Sequence, residues 1–255
     1  MQLTALAFGL IVGGLLGLVG GGGSILAVPA LIYGVGLPLE AAIPTSLLVV
    51  GASSAVAVLP RLRRGVNWRL AVIIGAAGTA AAYLGAYVNR LLNQQILLLA
   101  FAAIMVLAGI RMMRPSAPLG GSCALPGGGV RWRSCLPKAI ATGAVVGFLT
   151  GLLGVGGGFL IVPALTLVLG LPMAVAVGTS LVIIVINSIA GFAAHLGNLQ
   201  INWAVTVSFA VGAMVASLLA GRYGSKIPDK VLKRSFGALV ILVAVFVSVQ
   251  ASFFS

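Results

Sequence analysis

The strongest constraint on how this chain can fold is a succession of apolar blocks, at residues 41–60, 69–88, 96–113, 173–195, 203–221 and 236–254, that carry almost no charge. Crossing a hydrocarbon core of about 30 Å takes roughly 20 helical residues, and each block is close to that length. Only 7% of the 255 residues are charged and 61% are hydrophobic, whereas a soluble domain carries about a quarter charged residues. Such a chain has too little polar surface to cover a water-exposed fold. It reads as an all-α, polytopic membrane protein without a soluble catalytic domain.

Lys and Arg number 15 against two Asp and Glu, a net charge of +13. The basic residues do not interleave with aromatics on a soluble module, which argues against a nucleic-acid partner. They fall in the connections between apolar blocks, as expected where cytoplasmic loops are enriched in Lys and Arg. The stretch from Met1 has no basic leader region and runs into a glycine-rich break, so it is expected to belong to the mature protein rather than to a signal peptide. Cys123 and Cys135 lie twelve apart without the short Cys-x-x-Cys spacing of zinc or redox sites, and are expected to be two free thiols.

The chain is also a duplication. A shift of 134 residues superposes Gly17–Leu47 on Gly151–Leu181 without a gap, and 17 of the 31 positions are identical. The matches include Pro29 with Pro163, the triplets Gly36-Leu37-Pro38 and Gly170-Leu171-Pro172, and Thr45-Ser46-Leu47 with Thr179-Ser180-Leu181. One inserted residue later, Val66-Asn67-Trp68 answers Ile201-Asn202-Trp203. The organisation expected is a first repeat at 1–113, a polar cytoplasmic linker at 114–138 rich in Pro and Gly, and a second repeat at 139–255.

Loop charges orient the repeats. The connection at 61–69 holds Arg61, Arg63, Arg64 and Arg69, while its counterpart at 195–203 holds only His195. The next connection reverses the bias, with Arg90 alone at 89–95 but Arg222, Lys226, Lys230, Lys233 and Arg234 at 222–235. Equivalent loops then lie on opposite sides of the membrane, and the two repeats are inverted. Both termini fall outside. Each repeat is expected to hold three transmembrane helices and an opening helical hairpin broken by glycine (about 2–37 and 139–170), re-entrant in the favoured reading, though two crossings each would serve equally.

The chemistry expected is that of the breaks, Gly20-Gly21-Gly22-Gly23-Ser24 and Gly154-Val155-Gly156-Gly157-Gly158. Glycine lets backbone approach a ligand closely. The first amides of a following half-helix lack intrahelical partners and carry the positive end of the helix dipole. Two such starts facing each other near the midplane would hold an oxyanion without a charged side chain, as inverted-repeat transporters often do; alternatively these glycines only permit close helix packing. Thr45, Ser46, Thr179 and Ser180 either donate to the anion or bond back to their own helix. Asn187, within an apolar run, is either a tie between helices or a site residue. Glu40 stands at a span boundary and Asp229 among lysines, so no buried carboxylate relay is visible. Neither is a catalytic triad, a paired-carboxylate site or a metal-ligand cluster. The reading is therefore not an enzyme, and no cofactor or metal is implied. His195, Trp68, Trp132 and Trp203 read as interfacial.

With the doubled pattern of Gly20-x-Gly22-Gly23, Val28-Pro29-Ala30-Leu31 and Thr45-Ser46, answered by Gly154-x-Gly156-Gly157-Gly158, Val162-Pro163-Ala164-Leu165 and Thr179-Ser180, the chain resembles the TauE/SafE family of membrane permeases, sulfite and organosulfonate exporters, over nearly its whole length. The resemblance implies a secondary transporter in the inner membrane, moving a small sulfur-containing oxyanion. Its partners would be that anion, the lipid bilayer and, optionally, a second copy in a homodimer. An anion channel and a non-transporting assembly subunit are the alternatives. Ser24 replaces the glycine found at Gly158, so the two breaks need not contribute equally.

Overall fold

The computed structural model describes residues 2–62, 65–89, 91, 94–113, 123, 132–153, 158–194, 201–224 and 227–253. Among them all regular structure is helical: α1 (Gln2–Val19), α2 (Gly22–Pro29), α3 (Leu39–Val58), α4 (Trp68–Asn89), α5 (Gln94–Met113), α6 (Trp132–Leu153), α7 (Gly158–Pro163), α8 (Met173–Ala194), α9 (Trp203–Gly224) and α10 (Asp229–Phe253). Among the described residues six helices, α1, α3, α4, α6, α8 and α9, are long and apolar enough to cross a membrane. Trp132 to Lys138, at the end of the stretch read as linker, form the first turns of α6, with Pro137 as its sixth residue.

The matched sequence markers are local devices of chain geometry. Pro29 and Pro163 each end an α-helical arm that continues as one π-helical turn, Ala30–Gly34 and Ala164–Val168. Each turn closes with a glycine at positive φ, Gly36 at 82° and Gly170 at 67°. The following amides reach back across it, Leu37 to the Leu31 carbonyl at 3.0 Å and Leu171 to Leu165 at 3.1 Å. This bond across six residues, closed over a left-handed glycine, is a wider form of the usual helix-ending turn and satisfies otherwise orphaned helix-end carbonyls. Asn67 and Asn202 open α4 and α9 as N-caps, each accepting with Oδ1 the amide three residues on, Leu70 at 3.2 Å and Val205 at 3.3 Å.

The opening piece of the first repeat is a hairpin. Gly23 packs on Val12 and Leu16, and Gly34 at the far end of the returning arm packs on the Phe8 ring, so α2 and its π-turn run back along α1. α1 does not pack chiefly within its own repeat. Gly9, Gly13 and Gly17 lie directly on the backbone of Phe209, Ala213 and Ser217 in α9, and Gly143, Gly147 and Gly151 of α6 do the same with Ile74, Gly78 and Ala82 of α4. These two stripes are related by the same 134-residue shift. Residues four apart share a helix face, and three glycines in a row let two backbones touch, which lipid rewards through dispersion contact rather than through any hydrophobic effect. The repeats are thus interlocked, with α5 against α10 and α3 against α8 completing the set of reciprocal pairings.

One end of the bundle gathers the basic connections. Asn67 meets Thr179, Gly65 meets Gly178, Arg69 lies over the Trp132 ring at 5.6 Å, the Cys123 amide donates to Leu169 O at 2.9 Å, and the Met173 amide donates to Asp229 Oδ2 at 3.2 Å. Among the described residues Arg61, Arg69, Arg111, Lys138, Arg222, Lys230, Lys233 and Arg234 lie in or beside connections that reach this end. Here the expectation of free thiols is corrected: Cys123 and Cys135 are disulfide-bonded, with Cα atoms 5.4 Å apart, and both are buried. Cys123, held through its amide on the turn before α8, lies against the first turn of α6. Spacing along the chain carries no sign of that contact.

Candidate functional site

The glycine break of the first repeat is built by Gly20 at φ 78° and Gly21, which serves as the N-cap of α2 without any side-chain cap bond. Gly20, Gly21, Gly23 and Ser24 are buried, and Gly22 is the first residue of α2. In the second repeat Gly154, Gly156 and Gly157 lie outside the described residues, whereas Gly158 starts α7 and is fully enclosed. The two breaks meet. A Cβ on Gly21 would collide with the Gly158 carbonyl, and one on Gly158 would press on Ser24 Oγ and Ile184. The starts of α2 and α7 therefore adjoin deep in the bundle. Ser24 Oγ donates to the Gly21 carbonyl at 2.7 Å.

The hydroxyl pairs divide by residue type. Ser46 Oγ donates to Ile43 O at 2.7 Å, one turn back in α3. Ser180 Oγ has Val177 O at 2.8 Å and Gly20 O at 2.9 Å as acceptors, so α8 of the second repeat steadies the break of the first. Both serines are committed to carbonyls. The threonines are not: Thr179 Oγ1 accepts the Asn67 amide at 3.0 Å, which leaves its own proton without an acceptor among the described residues, and Thr45 Oγ1 is fully buried with no partner among them. Thr45 and Thr179 are 0% exposed, so an unmet hydroxyl here is costly unless something else bonds it. Asn187 Oδ1 accepts the Thr79 hydroxyl at 3.1 Å, which makes Asn187 a tie between α8 and α4.

Sequence reasoning treated Asn67 only as a repeat marker; its second task is to hold the α3–α4 connection on α8. Gly65 comes against Gly178 in the same contact, and any side chain at Gly178 would block it. Matched residues behave differently. Pro44 stands where the second repeat has Gly178, Asn202 is exposed where Asn67 is half-buried, and Thr45 lacks the amide that Thr179 receives. The basic end is latched between repeats, and the corresponding Asn202-to-Thr45 bond is not made.

A family model described as Sulfite exporter TauE/SafE matches residues 5–247. The chain belongs to this family. TauE/SafE relatives include a "Probable membrane transporter protein" of Xylella fastidiosa strain 9a5c, 35% identical over 254 residues that cover 96% of this chain and 94% of the relative. Another is the "Probable membrane transporter protein YunE" of Bacillus subtilis strain 168, 30% identical over 255 residues, 92% and 93% of the two chains. No solved structure matches significantly. The TauE/SafE chain is accordingly a multi-pass membrane transporter. Among its described residues no group of three or more His, Cys, Asp or Glu is placed to hold a metal ion.

Proposed function

We propose that this TauE/SafE protein is a secondary transporter of a small sulfur-containing oxyanion, sulfite or an organosulfonate, exported across the inner membrane by alternating access of two inverted repeats. The observation that carries the reading is the meeting of Gly21 with Gly158 in the buried core. It brings the start of α2, which has no side-chain cap, against the start of α7, and oriented amides at helix starts favour an anion. The Thr45 and Thr179 hydroxyls are side-chain donors left available at the matched pairs, and Ser24 and Ser180 shape the first break. The unequal state of the two Asn–Thr pairs supports a cycle, since one inter-repeat contact is made and its counterpart is open. The reciprocal glycine stripes support the inversion, because an internal two-fold exchanges α1 on α9 with α6 on α4.

The test is binding of sulfite, sulfate, thiosulfate, taurine and sulfoacetate to purified protein, followed by counterflow in proteoliposomes. Saturable counterflow of one sulfur oxyanion is expected, and both Gly22→Asp and Gly158→Asp should abolish it in protein that still inserts, because a carboxylate would repel the ligand from the amides. Linear flux without counterflow would favour a channel. Normal counterflow in both variants would remove the glycine breaks from the site.

A further inference from the structure

At the basic end Arg61 closes the short 3-10 turn after α3 and is only 5% exposed. Its Nη1 donates to the Gly17 carbonyl at 2.9 Å, in the last turn of α1 and three residues before the break at Gly20. Its guanidinium lies along the glycine face at the end of α9, where a Cβ on Gly224 would press on Nη2 at 2.9 Å and one on Gly221 would approach Nη1 to 3.8 Å. Those two glycines make the room it occupies. A guanidinium carries five N–H donors in a planar fork, and among the described residues only the Nη1 bond to Gly17 is made.

No carboxylate balances this buried cation. The chain has two acids: Glu40 is exposed in the first turn of α3, at the opposite end of that helix, and Asp229 accepts the Met173 amide. The carbonyl ends of α1 and α9 offer partial charge, which orients the guanidinium but leaves its fork unmatched. An ionisable side chain enclosed in a membrane bundle, facing no opposite charge of its own chain, calls for a charged ligand. The corresponding connection of the other repeat, 195–202, contains no Arg or Lys.

We infer that Arg61 is an anion-binding residue of the basic end, a second station that takes an oxyanion by its planar fork before the anion reaches the glycine breaks. This rests on the anion-transport reading and adds to it a side-chain subsite that exists on one side of the molecule only. Arginine suits the task better than lysine, because two parallel N–H groups match two oxygens of a sulfite or sulfonate.

The experiment uses the full chain in proteoliposomes of defined orientation, with sulfite offered to one end at a time. Arg61→Gln is expected to raise the half-saturating sulfite concentration about tenfold to a hundredfold at the basic end, the size of a lost charge-assisted bond, and to leave the opposite end within about twofold. An equal change at both ends, or a fall in thermal stability with unchanged half-saturation, makes Arg61 a helix-end cap and overturns the inference. In case Arg61→Gln fails to insert, anomalous diffraction from wild-type crystals soaked in selenite, a heavier relative of sulfite, gives a variant-free answer. Selenium within about 4 Å of the guanidinium supports the subsite; selenium confined to the glycine breaks, or absent while sulfite still binds, overturns it. If wild-type protein binds no oxyanion in either assay, the transport reading itself falls, a result distinct from failure of Arg61 alone.

Discussion

Thr45 and Thr179 are matched in sequence and unlike in surroundings, which makes their substitution informative. Thr179→Val removes the acceptor of the Asn67 amide and leaves that N–H unpaired, so stability should fall by about 1–3 kcal/mol. Thr45→Val removes a hydroxyl that has no partner, so the melting temperature should hold or rise. If both hydroxyls donate to the anion, both valines should weaken sulfite binding roughly tenfold to a hundredfold. Calorimetry beside thermal melting separates the two effects; unchanged affinity in both variants would leave the backbone amides as the whole site. The pairing of threonines with serines was legible in the sequence, but their division of labour was not. Ser180 faces Gly20 across the repeat boundary, and only packing shows which carbonyls its hydroxyl meets.

At the scale of single elements, most boundaries follow from the chain itself: apolar runs set helix length, and Gly-Leu-Pro marks where each returning arm stops. Gly36 offers a clean measure of that device. Its φ is 82° and a Cβ there would meet nothing within 4 Å, so Gly36→Ala carries a conformational cost without a steric one. That cost is about 1–2 kcal/mol for an L-residue in the left-handed region. A lower melting temperature with unaltered anion affinity is the expected outcome. The glycine stripes Gly9-Gly13-Gly17 and Gly143-Gly147-Gly151 were written in the sequence too, at the same repeat spacing, but they precede or straddle the edge of the region matched by prolines and hydroxyls. Small residues carry no label of their partner, so the contact with α9 or α4 appears only in three dimensions.

For the whole molecule, the glycine stripes decide how the duplicated halves are related. Residues 1–113 and 132–255 are not two bodies that dock; the first helix of each completes its packing on the other. Either fragment expressed alone should be degraded or aggregate, whereas co-expression of the two should restore a complex that purifies as one species and binds sulfite. Stable insertion of a lone half, with native-like protease resistance, would contradict the interlocked arrangement. Any cycle of access must then move units that cross the sequence repeats, such as α1 with α9 against α4 with α6. The duplication and its charge bias were readable directly, because both survive as residue identities. The exchange of partners was not, since it depends on which glycine face meets which backbone.

The Cys123–Cys135 bond gives the membrane's two faces a chemical signature. Thiols on the cytosolic face are kept reduced by glutathione and thioredoxin, while the outer face is permissive for disulfides. If the basic end faces the cytosol, as its arginines and lysines indicate, cells quenched in acid and alkylated under denaturing conditions should yield both cysteines modified, and protein purified in air should yield neither. The redox state of one linker loop would thus report, in living cells and without any inserted tag, which way the transporter stands in its membrane.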